Sequence, residues 1–192
     1  IEDRTVASGL VQLREPVAVK VPSASSLLGD KLAAFAPSTI GFPYQPVTAS
    51  TEEPAEQRPI KVVKHLFDVG ELAALTVRLD ETAQTYRNIH AEQCRYRGLD
   101  CTVDAALDDT QDAAFWMARV GGRPLVENEK TKFFHDGMRA LDSHLLRQAF
   151  HRPEARLAAE RAAVVGALVR RGQGDFDLGR FVVAAPDAEA LR

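Results

Sequence analysis

The chain of 192 residues has no excess of basic side chains. Its 24 lysines and arginines stand against 27 aspartates and glutamates, for a net charge of −3. That balance removes the broad positive field of a dedicated nucleic-acid binder, so any nucleic acid would have to meet a local patch. Cysteine is scarce as well. Cys94 and Cys101 are the two present; they could be bridged, but two reduced thiols in a cytoplasmic protein are the simpler reading. No run of about 18 apolar residues occurs, so no membrane-spanning helix is expected, and no signal peptide is visible. No Walker loop, GxGxxG, HExxH or GxSxG is present, which removes the commonest signatures for phosphate loops, dinucleotides, zinc hydrolysis and serine nucleophiles. The chain opens on Ile1 rather than Met, and a fragment or processed form of something longer is expected.

What is present is apolar content, at 45% of residues, enough for a packed core. Strand signals are confined to residues 5–21. "TVASGLVQL" and "PVAVKVP" alternate and are rich in Val, with "REP" between them. Strands are expected over 5–9 and 16–21, either paired as a hairpin or edging a larger sheet. Beyond residue 22 the chain reads as helical. Ser23 or Ser25 can cap a first helix. Residues 37–59 form a long loop with five prolines. Pro59 then opens a helix at its favoured first turn, and further helices are expected at 80–97, 102–119, 127–151 and 154–171. Gly98, Gly121, Gly122 and Gly172 mark ends. The organisation is therefore 1–22 as strands and 23–192 as a helical domain.

The first helix raises a question. In "SLLGDKLAAFAPSTIGFPY", steps of 100° place Leu27, Leu28, Leu32 and Phe35 on one arc, and Lys31 falls inside it. An inward lysine needs a partner for its amine, or else snorkels to water. A phosphate contact is the functional alternative. In "IKVVKHLFDVGEL" the apolar side holds Ile60, Val62, Val63, Leu66, Phe67 and Val69. Asp68 faces the other way with Lys61, Lys64 and Glu71, which on its own reads as a solvated face with i,i+4 pairing. Arg161 repeats the Lys31 pattern among Leu157, Val164, Val165 and Leu168, either as a buried cation paired with a carboxylate or as a second anion contact. His90 and Cys94 share a helix face as a conceivable metal pair, but no third ligand is spaced to join them. Asp104, Asp108 and Asp112 make an acidic stripe read as a solvated face. "GDFD" at 174–177 reads as a turn.

Those two stretches, "SLLGDKLAAFAPSTIGFPY" and "IKVVKHLFDVGEL", resemble the AbiEii/AbiGii family of nucleotidyltransferase toxins, with Leu-Leu-x-x-Lys-Leu followed by a loop and Lys-x-x-x-x-Leu-Phe/Tyr-Asp. "YRNIHAEQCRYRGLD", "AALDD" and "AFHRPEARLAAERAA" extend the likeness, which runs from about residue 20 to about 171. The resemblance implies a mainly α chain with a short N-terminal β hairpin: the helical C-terminal part of a polymerase β-like nucleotidyltransferase fold, with 1–22 as late strands of its sheet. It implies transfer of a nucleotide from an NTP to an acceptor such as tRNA, in a toxin–antitoxin or abortive-infection setting, with a cognate antitoxin as a possible partner. It places a substrate-binding lysine at Lys31 and a catalytic aspartate at Asp68. The family's metal element, a Gly-Ser turn followed by Asp-x-Asp on a strand, has no counterpart here: there is no Gly-Ser dipeptide, and Glu2 and Asp3 lack that context. Mg²⁺ is therefore expected only with an upstream half, and this chain alone is expected to be inactive. The alternatives are a non-catalytic helical binding module, antitoxin-like or scaffold, that has lost the metal site, and a helical interaction domain unrelated to nucleotides.

Overall fold

The computed structural model describes residues 2–6, 17–44, 58–75, 78–122, 127–146 and 149–172. Among them are two strands, β1 (Glu2–Val6) and β2 (Val17–Val21), and six helices. These are α1 (Ala24–Ala34), α2 (Arg58–Ala73), α3 (Leu79–Arg97), α4 (Val103–Arg119), α5 (Glu129–Asp142) and α6 (Arg152–Arg171). The mainly helical expectation holds.

β1 and β2 pair antiparallel, with Glu2 opposite Val21 and Val6 opposite Val17. The second strand lies close to where its valine alternation placed it. The first is earlier than the expected 5–9, because the five residues of β2 find their five partners in Glu2–Val6. Most of "TVASGLVQL" lies outside the described residues.

Ser23 is the serine that caps α1, its Oγ accepting from Ser26 N at 3.1 Å. Ser25 instead accepts from the backbone N–H of Arg78 at 2.6 Å, tying α1 to the start of α3. At that crossing Gly29 is needed for space: a Cβ there would sit 2.5 Å from the Thr82 carbonyl. α1 thus lies between α3 on one side and α2 on the other. α2 continues the packing onto α5 and α6, and α6 closes against α4. The core runs through Leu28, Leu32 and Phe35 of α1 and its end, Val62, Val63, Leu66 and Val69 of α2, and Leu79 and Tyr86 of α3, and reaches Leu107, Phe134 and Val165.

Helix boundaries match the sequence reading except in one place. The span expected to be helical over 127–151 is helical only over α5. α5 stops at Asp142, where Ser143 Oγ donates to the Ala140 carbonyl at 2.7 Å. The Asp142 carboxylate then accepts from Phe150 N at 2.8 Å, fixing the chain's return toward α6. Gly98 and Gly172 end α3 and α6 in the left-handed conformation.

Candidate functional site

The segment between α1 and residue 45 is built, not slack. After Phe35, turns through 37–42 are closed by main-chain bonds from Gly41 N to the Ala36 carbonyl (2.8 Å) and from Phe42 N to the Ala34 carbonyl (3.0 Å). Arg97 of α3 donates to the carbonyls of Ile40 (2.8 Å) and Gly41 (3.1 Å). Asp109 of α4 accepts from Ser38 N (2.7 Å) and Thr39 Oγ1 (2.8 Å). Tyr44 packs edge-on against Phe133 and Phe134 of α5. Residues 45–57 of the expected loop lie outside the described residues.

This loop and α1 place Lys31 beside the polar face of α2. Lys31 is half-buried, and its amine pairs with the carboxylate of its neighbour Asp30 at 2.8 Å. Lys31 is thus only partly covered, and its amine has a local partner. Asp68 is also half-buried and takes Lys64 at 2.7 Å, the i,i+4 pair expected of a polar helix face. A partly exposed pair of this kind contributes less than about 1 kcal/mol.

Between the two pairs stands His65. Burial is the main cause that pulls its imidazole below the usual histidine value, followed by the positive charges of Lys31 and then Lys64; Asp68 and Asp30 act in the opposite direction. The charges of both Lys31 of α1 and Asp68 of α2 act on this ring, while each is itself paired within its own helix, Lys31 with Asp30 and Asp68 with Lys64. Its Nδ1 is buried and has no hydrogen-bond partner among the described residues. At neutral pH the ring is uncharged, able to donate from one nitrogen and accept at the other. The His65 ring lies 6.5 Å from that of Phe42. The guanidinium of Arg58 stands 5.8 Å from the Phe42 centroid, and the Lys61 amine 5.3 Å. Amines and an imidazole of this kind suit anionic oxygens, and the carboxylates suit a hydroxyl or a cation.

Other candidates resolve differently. Arg161 meets a carbonyl, that of Gly70 in α2 at 2.9 Å, instead of a carboxylate. His90 and Cys94 touch at 3.7 Å, and among the described residues no group of three or more His, Cys, Asp or Glu is arranged to hold a metal. Cys94 and Cys101 are unbridged. The acidic stripe is a paired face: Asp104 and Asp108 meet Arg170, and Asp112 meets Lys130. "GDFD" lies outside the described residues. Sequence reasoning missed Asp109, Arg58 and Phe42. Arg58 carried a readable signal, a cation opening a helix with no acid in its first turn. Asp109 carried none, since its burial comes from a loop 70 residues earlier.

No helix among the described residues is long and apolar enough to cross a membrane. No family model, curated protein or solved structure matches the chain.

Proposed function

We propose that this chain is the helical C-terminal part of an AbiEii-like nucleotidyltransferase toxin. In this reading Lys31 contacts the phosphates of an NTP, and Asp68 orients that lysine or the acceptor, which is tRNA or a similar nucleic acid. The observation that carries it is the direct packing of α1 on α2, the two helices that carry Lys31 and Asp68, the positions marked by the motif resemblance. The Asp30–Lys31 pair fits a resting arrangement that an incoming phosphate would compete for.

The described carboxylates near Lys31 and Asp68 do not form a metal cage: each is matched to a lysine. Calorimetry with each of the four NTPs tests the reading. The chain is expected to bind one or more of them, and Lys31→Ala to weaken binding by about ten-fold or more, the loss of one charge-assisted contact. Equal binding by Lys31→Ala, or no NTP binding, would remove the reading and favour a non-catalytic module.

A further inference from the structure

The start of α2 has its charge reversed. The first turn of a helix carries partial positive charge and favours acids. α3, α4, α5 and α6 each place Asp or Glu there, and α1 does not. α2 has no acid in its first turn, and its first four residues are Arg58, Pro59, Ile60 and Lys61.

Arg58 is also 3% exposed, a degree of burial that arginine rarely reaches unless paired. Snorkelling does not apply to a side chain covered to that extent. Its Nε has no hydrogen-bond partner among the described residues. Among the described residues, none of the ion pairs includes it. The inward arginines elsewhere are satisfied: Arg97 by the Ile40 and Gly41 carbonyls, Arg161 by that of Gly70. Arg58 has the Phe42 ring at 5.8 Å. The Lys61 amine comes to the same ring at 5.3 Å, and the His65 ring stands 6.5 Å from it.

From these we propose that the start of α2 is a phosphate-binding site, in which the Arg58 guanidinium takes phosphate oxygens beside the helix N-terminus, Lys61 adds a second charge, and Phe42 holds both heads in place. A guanidinium fork and a helix N-terminus are each matched to phosphate, and together they define a site better than either alone. The phosphate belongs to a free nucleotide tail or to the backbone of a nucleic-acid strand, two sources of the same chemistry. The site needs neither Lys31 nor Asp68, so it stands or falls separately from the nucleotidyltransferase reading.

The test is calorimetry of the full chain with inorganic tripolyphosphate and, separately, with a short single-stranded oligoribonucleotide. Arg58→Gln and Lys61→Gln are compared with Arg156→Gln, an exposed substitution on α6. At least one probe is expected to bind. Arg58→Gln should weaken it by about ten-fold or more and Lys61→Gln by less, with Arg156→Gln unchanged. Preference for tripolyphosphate assigns the site to a nucleotide tail, and preference for the oligoribonucleotide to a strand backbone. Binding of neither probe, or equal binding by Arg58→Gln and the parent, overturns the proposal. If circular dichroism shows Arg58→Gln unfolded, the half-buried Lys61 decides: Lys61→Gln binding like the parent overturns the proposal.

Discussion

Asp109 and His65 are both buried enough to shift, and their shifts act on stability with opposite sign. Burial raises the Asp109 carboxyl, outweighing the lowering by its bonds from Ser38 and Thr39. The folded chain then holds that proton more tightly than the unfolded chain does. Its contribution to stability is full below the unfolded value of about 3.9 and is lost as pH rises through the raised folded value. One oxygen carries both loop bonds, while the other is buried without a partner among the described residues. Asp109→Asn can keep one acceptor in place and remove the desolvated charge, so it should change stability by less than about 1 kcal/mol and flatten the pH slope in that window. Asp109→Ala releases the loop and should cost about 2–3 kcal/mol near neutrality, from lost bonds to a charged acceptor. Urea melts of the three proteins across pH read both effects; an Asp109→Ala variant as stable as the parent would show that the latch does not hold the loop.

His65 is pulled down instead. Its contribution is full above the unfolded value of about 6.5 and is lost as pH falls through the lowered folded value. His65→Gln should remove that acid-side loss, seen as a flatter melting-temperature profile below about pH 6.5. Neither effect was legible in the sequence. Asp109 sits one residue from a stripe that pairs with Arg170, and only the loop arriving from α1 separates their fates.

At the scale of elements, the helices were read from apolar spacing and end signals, and glycines inside them decide how closely they pack. Gly137 of α5 faces α2 so tightly that a Cβ would lie 2.4 Å from the Pro59 carbonyl and 2.6 Å from Val63 Cγ2. On an exposed helix Gly→Ala stabilises by about 1 kcal/mol. Here the clash is with backbone, so Gly137→Ala should destabilise by about 1–3 kcal/mol, as overpacking does. A chemical melt checks the sign, and a gain in stability would mean that α2 and α5 can separate without cost. The expected single helix over 127–151 failed for a related reason. Its apolar spacing carries across the break at Asp142, and what stops it is a side chain accepting from Phe150 N, a contact no periodicity reports. The first strand was misplaced because alternation continues past Val6, while pairing depends on where β2 lies.

Across the whole molecule, the same helices that carry Lys31, Arg58 and Asp68 also carry the core. α1 buries Leu28 and Leu32 against α2 and α3, and α2 buries Val62, Val63 and Leu66 while presenting Lys64, His65 and Asp68 on its other side. That double use explains how much of the site was legible. The wheel of α1 shows Lys31 pointing inward, and the wheel of α2 shows Asp68 on a charged face. Neither wheel shows that both charges act on His65, because that depends on how α1 and α2 cross. It also predicts how the chain unfolds. α2 packs on α1, α5 and α6, and α4 on α5 and α6, so no helix from α1 to α6 has a core of its own. Trp116, half-buried on α4, reports the α4–α5 side through its contacts with Asp112 and Lys130. Helix content reports α1 to α6 together. If the packing is one cooperative unit, Trp116 fluorescence and the helical circular dichroism signal should follow the same urea transition, with the same midpoint and slope. A Trp116 transition at lower urea would mean that α4 and α5 open first. α1 and α2, which carry Lys31 and Asp68, would then stay paired after the tryptophan signal is lost.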